Sequence, residues 1–327
     1  MSAVLGLLPV MTFLAALVAL DSYKLVRLRT VLGVVACGMA AGAVCYWLNG
    51  LALGELPIEF RTYTRYVAPL VEEFVKALVM VALIRTHRVG FLVDAAICGF
   101  SVGTGFALIE NFHYLTLGTG GMGTWIVRGF GTALMHGGAS AIFAVSSVAL
   151  LERAGGWRAF VPGFAAAVVL HSAFNHVFSP LVSTLAVAAA LPLLLYTVFA
   201  RSERALGEWL GKGFDADAEM LALINAGNFS DSPLGRYLHT LQDRFRGPVL
   251  ADLLCYLRVH TELALRAKGI LLMRESGFDV PLDDATREKF TELEYLETSV
   301  GKTGLLALRP LLHMSHKDLW QLYVLGK

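Results

Sequence analysis

The feature that most constrains the fold is a series of long apolar segments in the first 200 residues. A helix needs about 20 apolar residues to cross the hydrocarbon of a membrane. Seven segments qualify: Ala3–Leu20, Val31–Leu53, Tyr66–Ile84, Leu92–Leu117, Thr124–Leu151, Phe160–Phe178 and Pro180–Ala200. A mean hydropathy of +0.62 also exceeds the usual range for soluble proteins. We therefore predict an all-α fold, a polytopic membrane helix bundle of about seven spans.

Positive charges between the segments predict the orientation of the bundle. Lys and Arg follow the first, third, fifth and seventh segments: Lys24, Arg27, Arg29, Arg85, Arg88, Arg153, Arg158, Arg201 and Arg204. The other loops carry Arg61 and Arg65, balanced by Glu55 and Glu59, and an uncharged GTGGMG stretch. Because Lys and Arg are retained on the cytoplasmic side, we predict an N-terminus outside the cell and a cytosolic C-terminal region.

Charge density divides the chain near residue 200. Residues 1–200 contain 11 of the 27 Lys and Arg residues and 8 of the 26 Asp and Glu residues. The shorter remainder therefore contains 16 basic and 18 acidic residues. We predict a seven-span domain over residues 1–200 and a cytosolic helical domain of open role over 201–327. In the latter, apolar residues recur at helical spacing after Pro248, with a helix stop at Gly277 and a new start at Pro281. A net charge of +1 gives no reason to expect a nucleic-acid partner.

Polar and ionisable side chains interrupt four of the apolar segments. In chain order they are Glu72, Glu73, Lys76, Glu110, His136, His171 and Asn175. A charge near the bilayer centre costs ~2.5 kcal/mol or more on insertion scales, and such residues usually face the interior of a bundle or an aqueous cavity. Each of them is therefore expected to have a partner.

These residues fall at similar depths in their segments. At a rise of ~1.5 Å per residue, Glu72, Glu110 and His171 lie ~10 Å from the outer ends. His136 matches this depth when its segment is taken to begin at Arg128, whose long side chain can reach the interface. Four segments thus bring acids and imidazoles to one layer. We predict one shared site in the outer half of the membrane.

Helical spacing supports a shared site. The i,i+4 rule puts three pairs each on one helix face: Glu72 with Lys76, Phe106 with Glu110, and His171 with Asn175. The adjacent Glu72 and Glu73 point about 100° apart, so we expect only one of them to face the ligand. The other, with Lys76, would orient this first glutamate or neutralise its charge. Small residues in the fourth segment predict close approach of a neighbouring helix or a local break; they are Gly99, Gly103 and Gly105.

Glutamates and histidines that converge from several helices suit hydrolysis of an amide. Such a set can bind Zn²⁺ and retain a carboxylate that activates water. Glu110, His136 and His171 are the candidate metal ligands, with Glu72 or Glu73 activating the water. Asn175 is the candidate hydrogen-bond donor to the oxyanion. A metal-free variant, in which a glutamate activates water and a histidine donates to the substrate carbonyl, stays open.

Two other interpretations of the same residues remain. They could form ion pairs that fix helix packing, Glu72 or Glu73 with Lys76 and Glu110 with His136, in a non-catalytic membrane scaffold or receptor. A proton or ion transporter would also carry acids and histidines within the membrane. The absence of two-half symmetry among the seven segments and the off-centre depth of the cluster favour hydrolysis over transport.

The motifs resemble those of the PrsW family of bacterial intramembrane proteases. That family has an EExxK motif, here Glu72, Glu73 and Lys76, and an FxxxE motif, here Phe106 and Glu110. A lone histidine and a final His motif follow, here His136 and then HSAFN, which contains His171 and Asn175. The resemblance covers roughly Ala68 to Phe178, with four motifs on four successive apolar segments.

PrsW proteins are similar in turn to the CAAX-processing and bacteriocin-processing protease superfamily. Those relatives usually carry FxxxH where this chain has Glu110, and the final motif here ends in Asn175 rather than in an acid, which favours an auxiliary hydrogen-bonding role. The resemblance implies a peptidase of the bacterial inner membrane. Its implied substrate is a membrane-anchored protein, such as an anti-sigma factor, cut near the extracytoplasmic side.

Overall fold

The computed structural model describes the whole chain except residues 1, 119, 155, 177–179, 228–231, 279, 313–316, 318, 319, 323, 324, 326 and 327. The described part contains helices and no strands, so the predicted all-α class is confirmed. The α-helices are α1 (Ser2–Ala19), α2 (Leu28–Glu55), α3 (Phe60–Thr62), α4 (Ala68–Arg85), α5 (Leu92–Thr116), α6 (Met122–Ile126), α7 (Leu134–Ala154), α8 (Val161–His176), α9 (Pro180–Ala226), α10 (Pro233–Leu241), α11 (Gly247–Glu275) and α12 (Asp284–Leu308). Two π-helical turns, Tyr63–Val67 and Val127–Ala133, lead into α4 and α7 respectively.

Six helical segments in the described residues are long and apolar enough to cross a membrane: α1, α2, α5, Met122–Leu151, Gly156–His176 and α9. The protein is therefore a multi-pass membrane protein. The third predicted segment forms α4, which has as many residues as α1 but carries Glu72, Glu73 and Lys76. Whether α4 is a seventh span stays a prediction.

The sixth and seventh predicted segments form α8 and the first part of α9. The predicted end of the sixth segment, Phe178, lies outside the described residues. The seventh predicted segment ends at Ala200, whereas its helix, α9, continues to Ala226, so the end of the span at Ala200 stays a prediction. The change from apolar to charged residues does not break this helix, since the sequence that follows, RSERALGEWL, is rich in residues that favour helix.

The chain divides into two compact units, Met1–Arg204 and Ala205–Lys327. Helix α5 is the centre of the first unit: 83% of its most apolar stretch is buried, and it packs against α2 on one side and α7 on another. Helix α4 contacts α2, α7 and α8. This arrangement puts the polar residues of α4, α5, α7 and α8 within reach of one another.

Glycines allow the close helix packing around α5, as their positions predict. A Cβ atom built on Gly103 would lie 2.2 Å from the carbonyl oxygen of His136, and one on Gly105 would lie 2.0 Å from that of Val35. A Cβ on Gly99 would lie 2.6 Å from the carbonyl oxygen of Ser140. Real Cβ atoms do not approach backbone this closely, so the backbones of α2 and α7 lie where only glycine fits.

The contact at Gly103 gives a prediction. We expect Gly103→Ala to lower the free energy of unfolding by about 1–3 kcal/mol, because backbone cannot yield as a flexible side chain can. The displaced backbone is that of His136, so the position of this imidazole should change as well. Gly33→Ala is the matched control, since a Cβ on Gly33 of α2 meets nothing within 4 Å. The free energy of unfolding of both variants, measured in detergent, tests this prediction. Equal stability of the two variants would contradict it.

The second unit has its own apolar core, built from α10, α11 and α12 around buried residues such as Leu253, Leu257 and Leu263. Helix α11 begins at Gly247 with Pro248 in its first turn, and Gly277 (φ 86°) follows it, as the spacing predicted. The next helix begins at Asp284 rather than at Pro281, because the Asp283 side chain accepts the Thr286 backbone N–H (3.0 Å) and caps it.

Candidate functional site

The paired glutamates of α4 have different surroundings. Glu73 is 2% exposed, and its Oε1 accepts hydrogen bonds from Lys76 Nζ (2.6 Å) and from His171 Nδ1 (2.8 Å). A carboxylate can only accept, so in the neutral His171 ring the proton lies on Nδ1 and the Nε2 lone pair is free. Glu73 therefore orients His171 and compensates the buried Lys76.

Glu72 faces a cavity instead. Its Oε1 accepts a hydrogen bond from Asn49 Nδ2 (3.0 Å), and its Oε2 lies 3.9 Å from His171 Nε2. That distance is too long for a hydrogen bond. Two acceptor atoms, one on a carboxylate and one on an imidazole, thus face each other in a largely buried environment. Of the two adjacent glutamates, Glu72 is the one available to a ligand.

His136 on α7 bridges the lysine and the third glutamate. Its Nδ1 lies 3.2 Å from Lys76 Nζ, and its Nε2 lies 3.0 Å from Glu110 Oε2. Because the lysine ammonium only donates, Nδ1 accepts and the Nε2–H group donates to Glu110. The ring also packs against Phe106, at a centroid distance of 4.8 Å, and edge-on against His171, at 4.8 Å.

Glu110 forms an ion pair with Arg128, which lies in the second π-helical turn. Arg128 Nη2 is 3.3 Å from Glu110 Oε1, and Arg128 Nε donates to Asn111 Oδ1 (2.8 Å). The guanidinium also stacks 3.6 Å above the Tyr114 ring. Arg128 is only 8% exposed, so the prediction that it reaches the interface is wrong. Its side chain instead pairs with a carboxylate and an amide inside the bundle, where Nη2 forms an ion pair but no hydrogen bond.

Asn175 on α8 contacts the first π-helical turn. Its Nδ2 donates to the carbonyl oxygen of Thr64 (2.9 Å), and Ser172 Oγ donates to that of Arg65 (2.6 Å). A π-helical turn disrupts regular i to i−4 bonding, and these side chains satisfy two of its carbonyl groups. The Asn175 amide thus ties α8 to this turn, and its predicted role as an oxyanion donor stays a prediction.

The site opens into a cavity of about 930 Å³. Its polar lining includes Glu72, Glu110, Arg128, His136, His171 and Asn175. Aromatic and aliphatic residues also line it, among them Trp47 and Leu51 of α2, Tyr114 of α5, and Leu117, which follows α5. A cavity of this size accommodates a ligand of drug-like dimensions, which corresponds to a short extended stretch of peptide.

Among the described residues, Glu72, His136 and His171 form a group that could hold a metal ion. One ligand atom of each lies within 4.8 Å of the others. Two imidazoles and a carboxylate are a common ligand set for catalytic zinc, and the facing acceptors of Glu72 and His171 suit a cation between them. In the tautomer described above His136 offers a lone pair on Nδ1 alone, so it would join such a site by exchanging Lys76 for the ion. The residues therefore fit a divalent metal.

This group differs from the predicted ligands in one member. The sequence-based set contained Glu110, whereas the structure has Glu72 in that position and pairs Glu110 with Arg128 and His136. The predicted convergence of four helices is present, with Lys76 and Phe106 beside the cluster. The i,i+4 spacing of Glu72 and Lys76 does not produce a bond between them, since Lys76 binds Glu73, three residues before it.

Three polar residues of the site were not predicted. Asn49 contacts Glu72 directly, and Tyr63 contacts it through Asn49. Arg128 contacts Glu110. Asn49 is the single Asn, Gln or charged residue between Val31 and Leu53, which is the signal that could have identified it. Tyr63 carries no comparable signal, because it precedes the predicted third segment.

One comparison with known proteins gives a match. A family model described as PrsW family intramembrane metalloprotease matches residues 26–200, more than half of the 327-residue chain. That range includes every residue of the cluster described above. No match was found among curated proteins or among solved structures.

Proposed function

The chain belongs to the PrsW family of intramembrane metalloproteases, and from this premise we propose that it cleaves a membrane-anchored protein at the cavity that contains Glu72, His136 and His171. The peptidase activity follows from the family. The assignment to this cavity is supported above all by the convergence of the three side chains, with ligand atoms within 4.8 Å of one another.

In this proposal Glu72, His136 and His171 hold the metal, with Zn²⁺ as the ion that best suits two imidazoles and a carboxylate. When bound, Zn²⁺ would supply Lewis-acid chemistry, which polarises a carbonyl group and makes water nucleophilic near neutral pH. Glu73 keeps the proton of His171 on Nδ1, through the bond of 2.8 Å, so that Nε2 is available for binding. Hydrogen bonding of this kind fixes the tautomer and orientation of a ligand ring.

Glu110 is then the carboxylate left to accept a proton from the attacking water. Among the described residues that line the cavity, the carboxylates are those of Glu72 and Glu110, and Glu73 is committed to Lys76 and His171. The accepting atom is Oε2, which now contacts His136 Nε2 at 3.0 Å. Arg128, on Oε1, holds the carboxylate in place.

The substrate and the side of cleavage rest on the sequence. Positively charged loops after the first, third, fifth and seventh segments favour an outer N-terminus and a cytosolic C-terminal region. By family resemblance the substrate is a membrane-anchored protein such as an anti-sigma factor, cut near its extracytoplasmic side in a bacterial inner membrane. The region after residue 200 is left for regulation, substrate docking or assembly.

Metal removal tests this function. The full chain, purified in detergent, would be incubated with single-span reporter proteins, and the cleaved bonds would be mapped by mass spectrometry. We expect chelation to lower cleavage at least about tenfold and added Zn²⁺ to restore it. Unchanged cleavage by a demonstrably metal-free sample would overturn the metal assignment. Failure to cleave any reporter, with metal bound, would favour a non-catalytic scaffold.

A further inference from the structure

Two residues outside the family motifs, Asn49 and Tyr63, form a hydrogen-bond chain that ends on Glu72. Tyr63 Oη donates to Asn49 Oδ1 (2.8 Å), and Asn49 Nδ2 donates to Glu72 Oε1 (3.0 Å). Both distances are typical of strong, well-formed hydrogen bonds. Because the amide oxygen accepts from Tyr63, the amide nitrogen has to face Glu72. Tyr63 thereby sets the orientation of Asn49.

Tyr63 is itself held firmly. It is 1% exposed and is the first residue of the π-helical turn Tyr63–Val67. The next two residues of this turn accept side-chain hydrogen bonds from α8 through their carbonyl oxygens. Helix α8 also carries His171, so the tyrosine that begins the chain of hydrogen bonds and the imidazole that faces Glu72 are fixed relative to each other.

We propose that Asn49 and Tyr63 are positioning residues, which hold the Glu72 carboxylate with Oε1 occupied and Oε2 directed toward His171 Nε2. This rests on the proposed function, in which Glu72 and His171 bind the same metal. A carboxylate fixed through one oxygen loses less freedom when the other oxygen binds a cation. Loss of such an outer hydrogen-bond partner typically lowers metal affinity or activity by about 10- to 100-fold.

The test measures Zn²⁺ binding to the full chain in detergent, by competition with a chromophoric chelator and without substrate. We expect Asn49→Ala and Tyr63→Phe each to weaken Zn²⁺ binding by about 10- to 100-fold. Since Tyr63 acts through Asn49, the double variant should be no weaker than Asn49→Ala alone. The controls are Asn225→Ala and Tyr196→Phe, two exposed positions on α9.

The outcomes separate this proposal from the one on which it rests. Zn²⁺ affinity within twofold of wild type in Asn49→Ala, or fully additive effects in the double variant, would overturn the positioning role. Equal thermal unfolding midpoints for variant and wild type rule out general destabilisation as the cause of a loss. If wild type binds no Zn²⁺, or if Glu72→Gln binds it as tightly as wild type, the proposed metal site itself is refuted.

Discussion

Replacing Glu72 by Gln is expected to remove both metal binding and peptidase activity, whereas replacing Glu110 by Gln should remove activity alone. Glu72 supplies the ligand oxygen in the proposed site, so its loss should weaken Zn²⁺ binding by more than the ~10- to 100-fold typical of an outer hydrogen-bond partner. Glu110 supplies the proton acceptor, and loss of a general base typically costs ~10²- to 10⁴-fold in rate. Gln has nearly the shape of Glu, which limits the disturbance of packing.

The measurement pairs Zn²⁺ affinity with the rate of reporter cleavage in each variant. Glu288→Gln, in the exposed part of α12, is the control and should match wild type in both. The reverse pattern, in which Glu110→Gln loses the metal and Glu72→Gln keeps it, would assign the ligand role to Glu110 as the sequence pattern did. Retention of cleavage in Glu72→Gln would exclude this cavity as the active site.

Most of the residues of the site could be predicted from the sequence, because charged groups are rare in apolar helices. Glu72, Glu110, His136 and His171 each occur where hydrocarbon penalises them, and equal depth on four segments left little room for independent explanations. The structure brings all four together. The sequence could not predict which of Glu72 and Glu73 faces the cavity, because the helical period is consistent with either residue on the inner face. The choice depends on Lys76 and His171, whose side chains converge on Glu73 from two helices.

The wrong prediction for Arg128 has its physical origin in tertiary contacts. Arg128 lies near the end of an apolar segment, and from position alone an interface role is reasonable. Its burial depends on Glu110, 18 residues earlier in the sequence, and on Asn111. Helix α9 continues beyond the seventh predicted segment, since a change in polarity marks a change of solvent and does not by itself terminate a helix.

Glu73 and Lys76 form the buried ion pair that the alternative, structural interpretation of these charges anticipated, and the catalytic proposal assigns them a supporting role. The two side chains are 2% and 1% exposed, with Oε1 and Nζ 2.6 Å apart. Each also contacts a histidine of the cluster, His171 from Glu73 and His136 from Lys76. The pair therefore links the packing of α4 to the orientation of both rings.

Removing one partner of this pair should therefore be far more damaging than removing both. We expect Lys76→Met to lower the free energy of unfolding by about 3–5 kcal/mol, because it leaves the Glu73 carboxylate buried without its cation. The double variant Glu73→Gln/Lys76→Met should recover most of that loss, since no uncompensated charge remains. Lys24→Met, at an exposed position of the same unit, is the matched control and should change stability by less than about 0.5 kcal/mol.

Unfolding in detergent measures the stability of all three variants. Equal stability of the single and double variants would contradict the ion-pair argument, and full peptidase activity in the double variant would show that His171 keeps its orientation without the Glu73 carboxylate.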